Sequence, residues 1–294
     1  MGRELTQAIV DGVLGGGIYA LMAVGLTLIF GVLDIINVAQ GILVVLGAYL
    51  SYVLSVHLHL DLFVGLLVTV PAMFLVGIAI QWAFIRPLRG RERTSMSLLA
   101  TYAVAIIIEG ALYLAFGANN TNLTASYVTT GPKIFGFYLD YIYIYGFLMA
   151  VLLVVAIYWT LYRTQFGRTI RATMQDQTAA RVIGINVNRV QMLTFGIGVA
   201  VTAVGGMVFG ATGGGFNPNT GYDLISRLLA IIILGGLGSI AGAMIAAIFM
   251  ITLEAIVDVI WSPSWSVVVF YAALVLVLAF RPQGLLGQRA VRAQ

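Results

Sequence analysis

The chain contains no cysteine, so neither disulfides nor thiolate metal sites are available to it. Its two histidines, His57 and His59, sit two positions apart in one short segment and give no basis for a metal centre. Lysine occurs once, at Lys133, and no Gly-x4-Gly-Lys phosphate loop is present, so nucleotide hydrolysis has no seat here. Charge of either sign is scarce. Of 294 residues only 9% are Asp, Glu, Lys or Arg, where a soluble domain carries roughly a quarter. That is too little polar side chain to cover a water-facing surface. Period-two alternation is missing too, which excludes an outer-membrane barrel. What is there is apolar: 61% hydrophobic residues and a mean hydropathy of +1.03. Lipid is the solvent that suits such a chain.

A helix needs about 20 mostly apolar residues to cross the hydrocarbon core. Such runs fall near 7–30, 35–56, 61–85, 96–117, 139–162, 190–213, 226–258 and 264–281. The start, Met1-Gly2-Arg3-Glu4, leads into the first run without a clear cleavage site and reads as a retained span. The run 226–258 holds Gly235-Gly236-Leu237-Gly238-Ser239, which predicts a break into a short re-entrant helix and a full span. The expected fold is an all-α polytopic transmembrane bundle of about 8 spans plus broken or re-entrant half-helices, in one domain over 1–294. Twelve of the 15 Lys and Arg residues fall in three segments: Arg86, Arg89, Arg91 and Arg93; Arg163, Arg168, Arg171, Arg181 and Arg189; Arg281, Arg289 and Arg292. The positive-inside rule makes those segments cytoplasmic, the C-terminus included, and places the N-terminus outside. The positive charge therefore lies in short loops and not in a patch interleaved with aromatics, so pI 9.4 does not indicate nucleic acid.

Two interruptions stand out. Between Phe30 and Gly41 polar residues divide two apolar runs, and Asn37 and Gln40, three apart, share a face if helical. Together with the Gly235–Ser239 cluster they fit the paired broken helices that transporters place near the midplane. Asn37, Gln40, Gly41, Gly235, Gly236, Gly238 and Ser239 are accordingly candidates for a solute pathway; an ordinary turn with a helix cap is the competing reading. Small residues recur every four positions at Gly12-Gly16-Ala20, Gly206-Gly210-Gly214 and Gly238-Gly242-Ala246. Such rows permit close helix packing, and equally helix sliding. Glu109 and Glu254 lie within spans, each a proton-coupling candidate or a structural polar anchor. With no basic residue assigned to those spans, no buried ion pair is expected.

The arginine-rich loop 163–189 is too polar to span. Asp176 is a candidate N-cap and Gly184 a helix stop, bounding a short helix with Ala179, Ala180, Val182 and Ile183. Its apolar side chains call for cover from a partner. Phe166-Gly167-Arg168-Thr169, Arg171-Ala172, Gln175-Asp176, Ala179-Ala180-Arg181 and Gly184-Ile185-Asn186 resemble the permeases of the branched-chain amino acid ABC importers. So do Gly17-Ile18-Tyr19-Ala20-Leu21 with Gly25 to Gly31, Leu234 to Ile240 with Gly242-Ala243, and Arg281-Pro282-Gln283-Gly284-Leu285-Leu286-Gly287. The likeness runs from the first span to the tail. It implies a homologous second permease, two cytoplasmic ATPase subunits that bind ATP, and an extracytoplasmic solute-binding protein, in a bacterial-type inner membrane. No cofactor is implied on this chain. The 175–187 helix would dock on an ATPase through Gln175, Asp176, Ala179, Ala180, Arg181, Ile183 and Gly184. Many members carry Phe-Ala-His-Gly where this chain has Val38-Ala39-Gln40-Gly41. That departure opens the cargo beyond leucine, isoleucine and valine to amides and organic acids. A proton-coupled secondary transporter and a passive channel for a small neutral solute are the alternatives.

Overall fold

The computed structural model describes residues 2–88, 93–128, 130–134, 137–212 and 214–287. Arg89, Arg91, Arg289 and Arg292, used above for orientation, lie outside the described residues, as does the side chain of Arg93. The helices are α1 (Gly2–Leu33), α2 (Gln40–Leu58), α3 (Leu62–Ile80), α4 (Arg93–Phe116), α5 (Tyr141–Arg163), α6 (Gln165–Gln175), α7 (Gln177–Val182), α8 (Val187–Ala211), α9 (Thr220–Gly235), α10 (Ile240–Ile260) and α11 (Pro263–Phe280). A π-helical turn, Gln81–Ile85, prolongs α3. Two-residue strands, β1 (Lys133–Ile134) and β2 (Phe137–Tyr138), pair within the long loop before α5. Among the described residues 8 helices are long and apolar enough to cross a membrane; α6, α7 and α9 are not among them. The protein is an all-α, multi-pass membrane bundle.

Polar residues set several helix starts. Asp61, Thr164, Asp176, Asn186 and Ser239 each accept a hydrogen bond from a first-turn N–H of the helix that follows. Such a cap satisfies donors that a helix otherwise leaves open. α1 and α8 form the buried centre, and α11 is the least buried span. Close approach comes from the small-residue rows. A Cβ on Gly12 or Gly16 would stand 2.6 or 2.7 Å from the α10 backbone at Thr252 or Ile248. One on Gly206 would meet the Val44 carbonyl of α2 at 2.2 Å. Gly214, the last of its row, lies past the end of α8, and a Cβ there would meet nothing within 4 Å. Around this centre α3, α4, α5 and α11 turn leucine and valine outward, among them Leu67, Leu114, Leu152 and Val275, as a lipid-facing belt requires.

One end of the bundle gathers the described loop arginines with α6 and α7. The other is closed by loops: Thr121 bridges to Phe216, and the Tyr127 hydroxyl donates to Asp61 at 2.7 Å. Burial first, then that hydrogen bond, holds the Tyr127 phenol well above its ordinary pKa. Two expected boundaries differ. The run 35–56 becomes helical only at Gln40, and residues 34–39 are non-helical. The run 226–258 breaks as expected, but its first helix begins at Thr220.

Candidate functional site

Residues 34–39 form an irregular segment packed inside the bundle. Asp34 turns the chain at φ 56°, and Ile35, Asn37 and Ala39 are fully buried. Backbone polar groups at such depth need partners from protein. The Val38 N–H donates to Thr101 Oγ1 of α4 at 3.2 Å. Asn37 Nδ2 donates to Gln40 Oε1 at 2.8 Å. Gln40 Nε2 donates to Thr202 Oγ1 of α8, and Thr202 Oγ1 donates to the Gly198 carbonyl at 2.8 Å. Asn37 Oδ1 is buried with no hydrogen-bond partner among the described residues. Beneath this relay α1 touches α8, where a Cβ on Gly25 would stand 2.6 Å from the Gly198 carbonyl.

Thr202 stands about 22 Å along α8 from the arginine-rich end, at 1.5 Å per residue. α2 therefore begins near mid-depth. α9 begins there as well: a Cβ on Gly41 would meet the Gly221 carbonyl at 2.0 Å, and one on Gly221 would lie 3.0 Å from Ile42 Cα. Two helices thus start back to back within the bundle, α9 running to the arginine-rich end and α2 away from it. Glu109, about 24 Å along α4, reaches the same level. Val38, Ile42, Ala105, Glu109, Gly221 and Tyr222 all line one narrow cleft there, with room of about 10 Å³. The Tyr222 hydroxyl donates to Glu109 Oε2 at 2.5 Å.

Of the expected pathway residues, Asn37, Gln40 and Gly41 are brought together, with Glu109 close by. Gly235, Gly236, Gly238 and Ser239 are not. Their turn closes α9 at the arginine-rich end, where the tail covers it. The Leu285 N–H donates to the Leu234 carbonyl at 2.7 Å and the Leu286 N–H to Gly235 at 3.1 Å. Gly236 and Gly238 adopt positive φ (101° and 82°), a conformation that side-chain-bearing residues avoid.

Glu254 corrects the sequence reading, since a basic partner does exist. Arg227 of α9 donates to Glu254 Oε1 of α10 at 2.6 Å, and its guanidinium lies 5.7 Å from the Phe270 ring centre. Arg227 sits inside the very run that also carries Glu254, so the signal was there to be found. Thr202, Tyr222 and Gly221 were missed as well; Thr202 has no local pattern, being 162 positions from Gln40.

Within the expected 175–187 element the helix covers only Gln177–Val182; Gln175 ends α6 and Val187 begins α8. Asp176 accepts from the Thr178 and Ala179 N–H groups at 2.7 and 3.0 Å, and Gly184 follows the helix at φ 86°. Val182 and Ile183 are 82% and 72% exposed, and Gln175, Ala179 and Arg181 are exposed too. Ala180, at 2%, is instead turned onto its own chain.

Membrane-length helices around a polar seam at mid-depth define a multi-pass membrane protein. Residues 8–278 match the family model described as branched-chain amino acid transport system / permease component, and the chain belongs to that family. It is 30% identical to the high-affinity branched-chain amino acid transport system permease protein BraD of Pseudomonas aeruginosa, over 97% of this chain and 96% of that one. It is 31% identical to the corresponding permease protein LivH of Escherichia coli K12, over the same shares. The autoinducer 2 import system permease protein LsrC of an Enterobacter species is 38% identical over 50% of this chain and 44% of its own. Among solved structures, PsaBC from Streptococcus pneumoniae in complex with Fab superposes with a TM-score of 0.47 at 14% identity, covering 93% of this chain and 91% of that one.

Proposed function

We propose that the chain is the membrane-spanning permease subunit of an ABC importer, moving a small polar solute, a branched-chain amino acid or a related amide or organic acid, into the cytoplasm. A homologous second permease completes the channel. Two ATPase subunits, which bind the ATP, sit on the arginine-rich face. An extracytoplasmic binding protein delivers the cargo. By the positive-inside rule that face, with the C-terminus, is cytoplasmic, in a bacterial-type inner membrane. The observation that carries this reading is the exposure of Val182 and Ile183 on a short capped helix beside those arginines. Adjacent uncovered aliphatic side chains on a water-facing helix fit a partner's apolar groove. A proton-coupled carrier has no use for such a knob, and Glu254, held by Arg227, is poorly placed as a proton shuttle.

Co-reconstitution of the permease pair with its ATPases and binding protein tests the reading. ATP-dependent uptake is expected, and Ile183→Asp should lower it by about tenfold, since a carboxylate in an apolar groove costs at least that factor. Ile183 is a cleaner probe than the inward-turned Ala180. Uphill accumulation by the permease alone, with no ATPase in the vesicle, would overturn the proposal.

A further inference from the structure

Two amphipathic stripes meet at the mid-depth cleft. On α4, Leu99, Ile107 and Leu114 point one way and are 73%, 59% and 92% exposed, a lipid-facing row. Tyr102, Glu109 and Tyr113 follow at i, i+7 and i+11 and share a different face, offset by about 100° or more from most of that row at 100° per residue. At α9, the N-cap residue Asn219 and then Tyr222 and Ser226 follow at i, i+3 and i+7 and are all exposed. The Tyr222–Glu109 hydrogen bond joins the stripes at 2.5 Å. A half-buried carboxylate about 24 Å along a membrane helix is costly against lipid, so this face meets water or protein.

The chemistry of the face has a sign. No basic residue is among those lining the cleft. Arg227, the basic residue of α9, is engaged by Glu254, and Asp223 lies one turn before it on that flank. Asn37, whose Oδ1 is an unpaired buried acceptor, directly precedes the cleft-lining Val38. The wall therefore offers the Glu109 carboxylate and the Tyr222 hydroxyl, among short aliphatic groups from Val38, Ile42 and Ala105. Such a surface favours a group with several N–H donors and a positive charge, and it repels a free anion.

We propose that Glu109, positioned by Tyr222, is the specificity-determining residue of the pathway and selects solutes that carry an ammonium group over simple organic anions. This rests on the importer reading and narrows its cargo to amines and amino acids. The exposed Ser226 lies one turn beyond Tyr222 on the same side of α9, its hydroxyl donating to the Tyr222 carbonyl, and the chain has no cysteine of its own.

Ser226→Cys in the assembled transporter, in membrane vesicles, provides the test. Its labelling rates with 2-aminoethyl methanethiosulfonate, a cation, and 2-sulfonatoethyl methanethiosulfonate, an anion, are each divided by the rate with a free thiol. The cation should react on the order of tenfold faster, a ratio that a single nearby charge supplies at intermediate dielectric. Glu109→Gln on the same background should lower the ratio by about threefold, the Asp223 carboxylate one turn from Ser226 supplying what remains, and Glu109→Asp should largely keep it. Failure of both reagents to react would mean that a partner or lipid seals this face, and would overturn the proposal. So would a ratio that Glu109→Gln leaves unchanged. The assay needs neither ATP nor a known cargo, so it fails separately from the importer reading.

Discussion

Gln40 has both ends of its amide committed, to Asn37 and to Thr202, whereas the buried Ser51 hydroxyl has no partner among the described residues. Truncating Gln40 strands the Asn37 Nδ2 donor, and a stranded buried group costs about 1–3 kcal/mol. Removing the Ser51 hydroxyl strands nothing. Gln40→Ala is therefore expected to lower both the melting temperature of the purified assembly and its solute uptake, and Ser51→Ala to leave both near wild type. Equal behaviour of the two variants would reduce the relay to filler. At this scale the sequence was partly legible. Asn37 and Gln40 stood out because polar side chains interrupted apolar runs, and they meet as expected although Asn37 lies in the irregular segment and not on a helix. Their partner Thr202 was invisible, since a threonine within an apolar span carries no mark of the contact it makes. Arg227 escaped for another reason: arginines were read by the loops they define, and this one serves a span.

Helix spans were legible because each is a continuous apolar run of about the membrane-crossing length. The break before α2 was harder to locate. Ile35, Ile36 and Val38 keep the segment apolar, and the residue at the helix start, Ala39, offers no side-chain cap, so the usual start signal is missing. By contrast Gly235 to Ser239 announced itself through glycine, yet its depth could not be read, because hydropathy does not reveal that the preceding loop dips before α9 begins. α9 is held to α10 by the Arg227–Glu254 pair, with side chains 27% and 12% exposed. Breaking one member leaves the other charge uncompensated at a cost of about 2–4 kcal/mol, whereas an apolar pair of similar volume fits without that penalty. Glu254→Leu and Arg227→Met should each lower the melting temperature of the assembly, and the double variant Arg227→Met/Glu254→Leu should recover most of the loss. Additive losses in this cycle would show that the two charges act independently.

Across the whole molecule, the exposed α7, the proposed docking element, and the mid-depth relay are joined by a short physical route. α7 turns Val182 and Ile183 outward, and its Gln177 faces inward, donating through Nε2 to the Val32 carbonyl at 3.0 Å. Gln191 of α8 donates to Gln177 Oε1 at 3.2 Å, and the Met174 methyl closes on Gly31. Val32 lies in the last turn of α1, immediately before the irregular segment that carries Asn37 to Gln40. Movement of α7 by a partner would thus pull on the end of α1 and, through residues 34–39, on the place where α2 and α9 begin. A route of this kind transmits force only if its hydrogen bonds hold. Gln177→Ala removes the link to Val32 and leaves the exposed face of α7 intact. It should therefore keep ATPase binding and hydrolysis in the reconstituted importer while lowering the solute moved per ATP several-fold. Ile183→Asp, which spoils the docking face itself, should lower ATPase binding and uptake together. Should Gln177→Ala keep the wild-type ratio of solute to ATP, the force must pass instead through Met174 and the packed backbone at Gly31, and a bulkier residue at Gly31 becomes the variant that separates hydrolysis from transport.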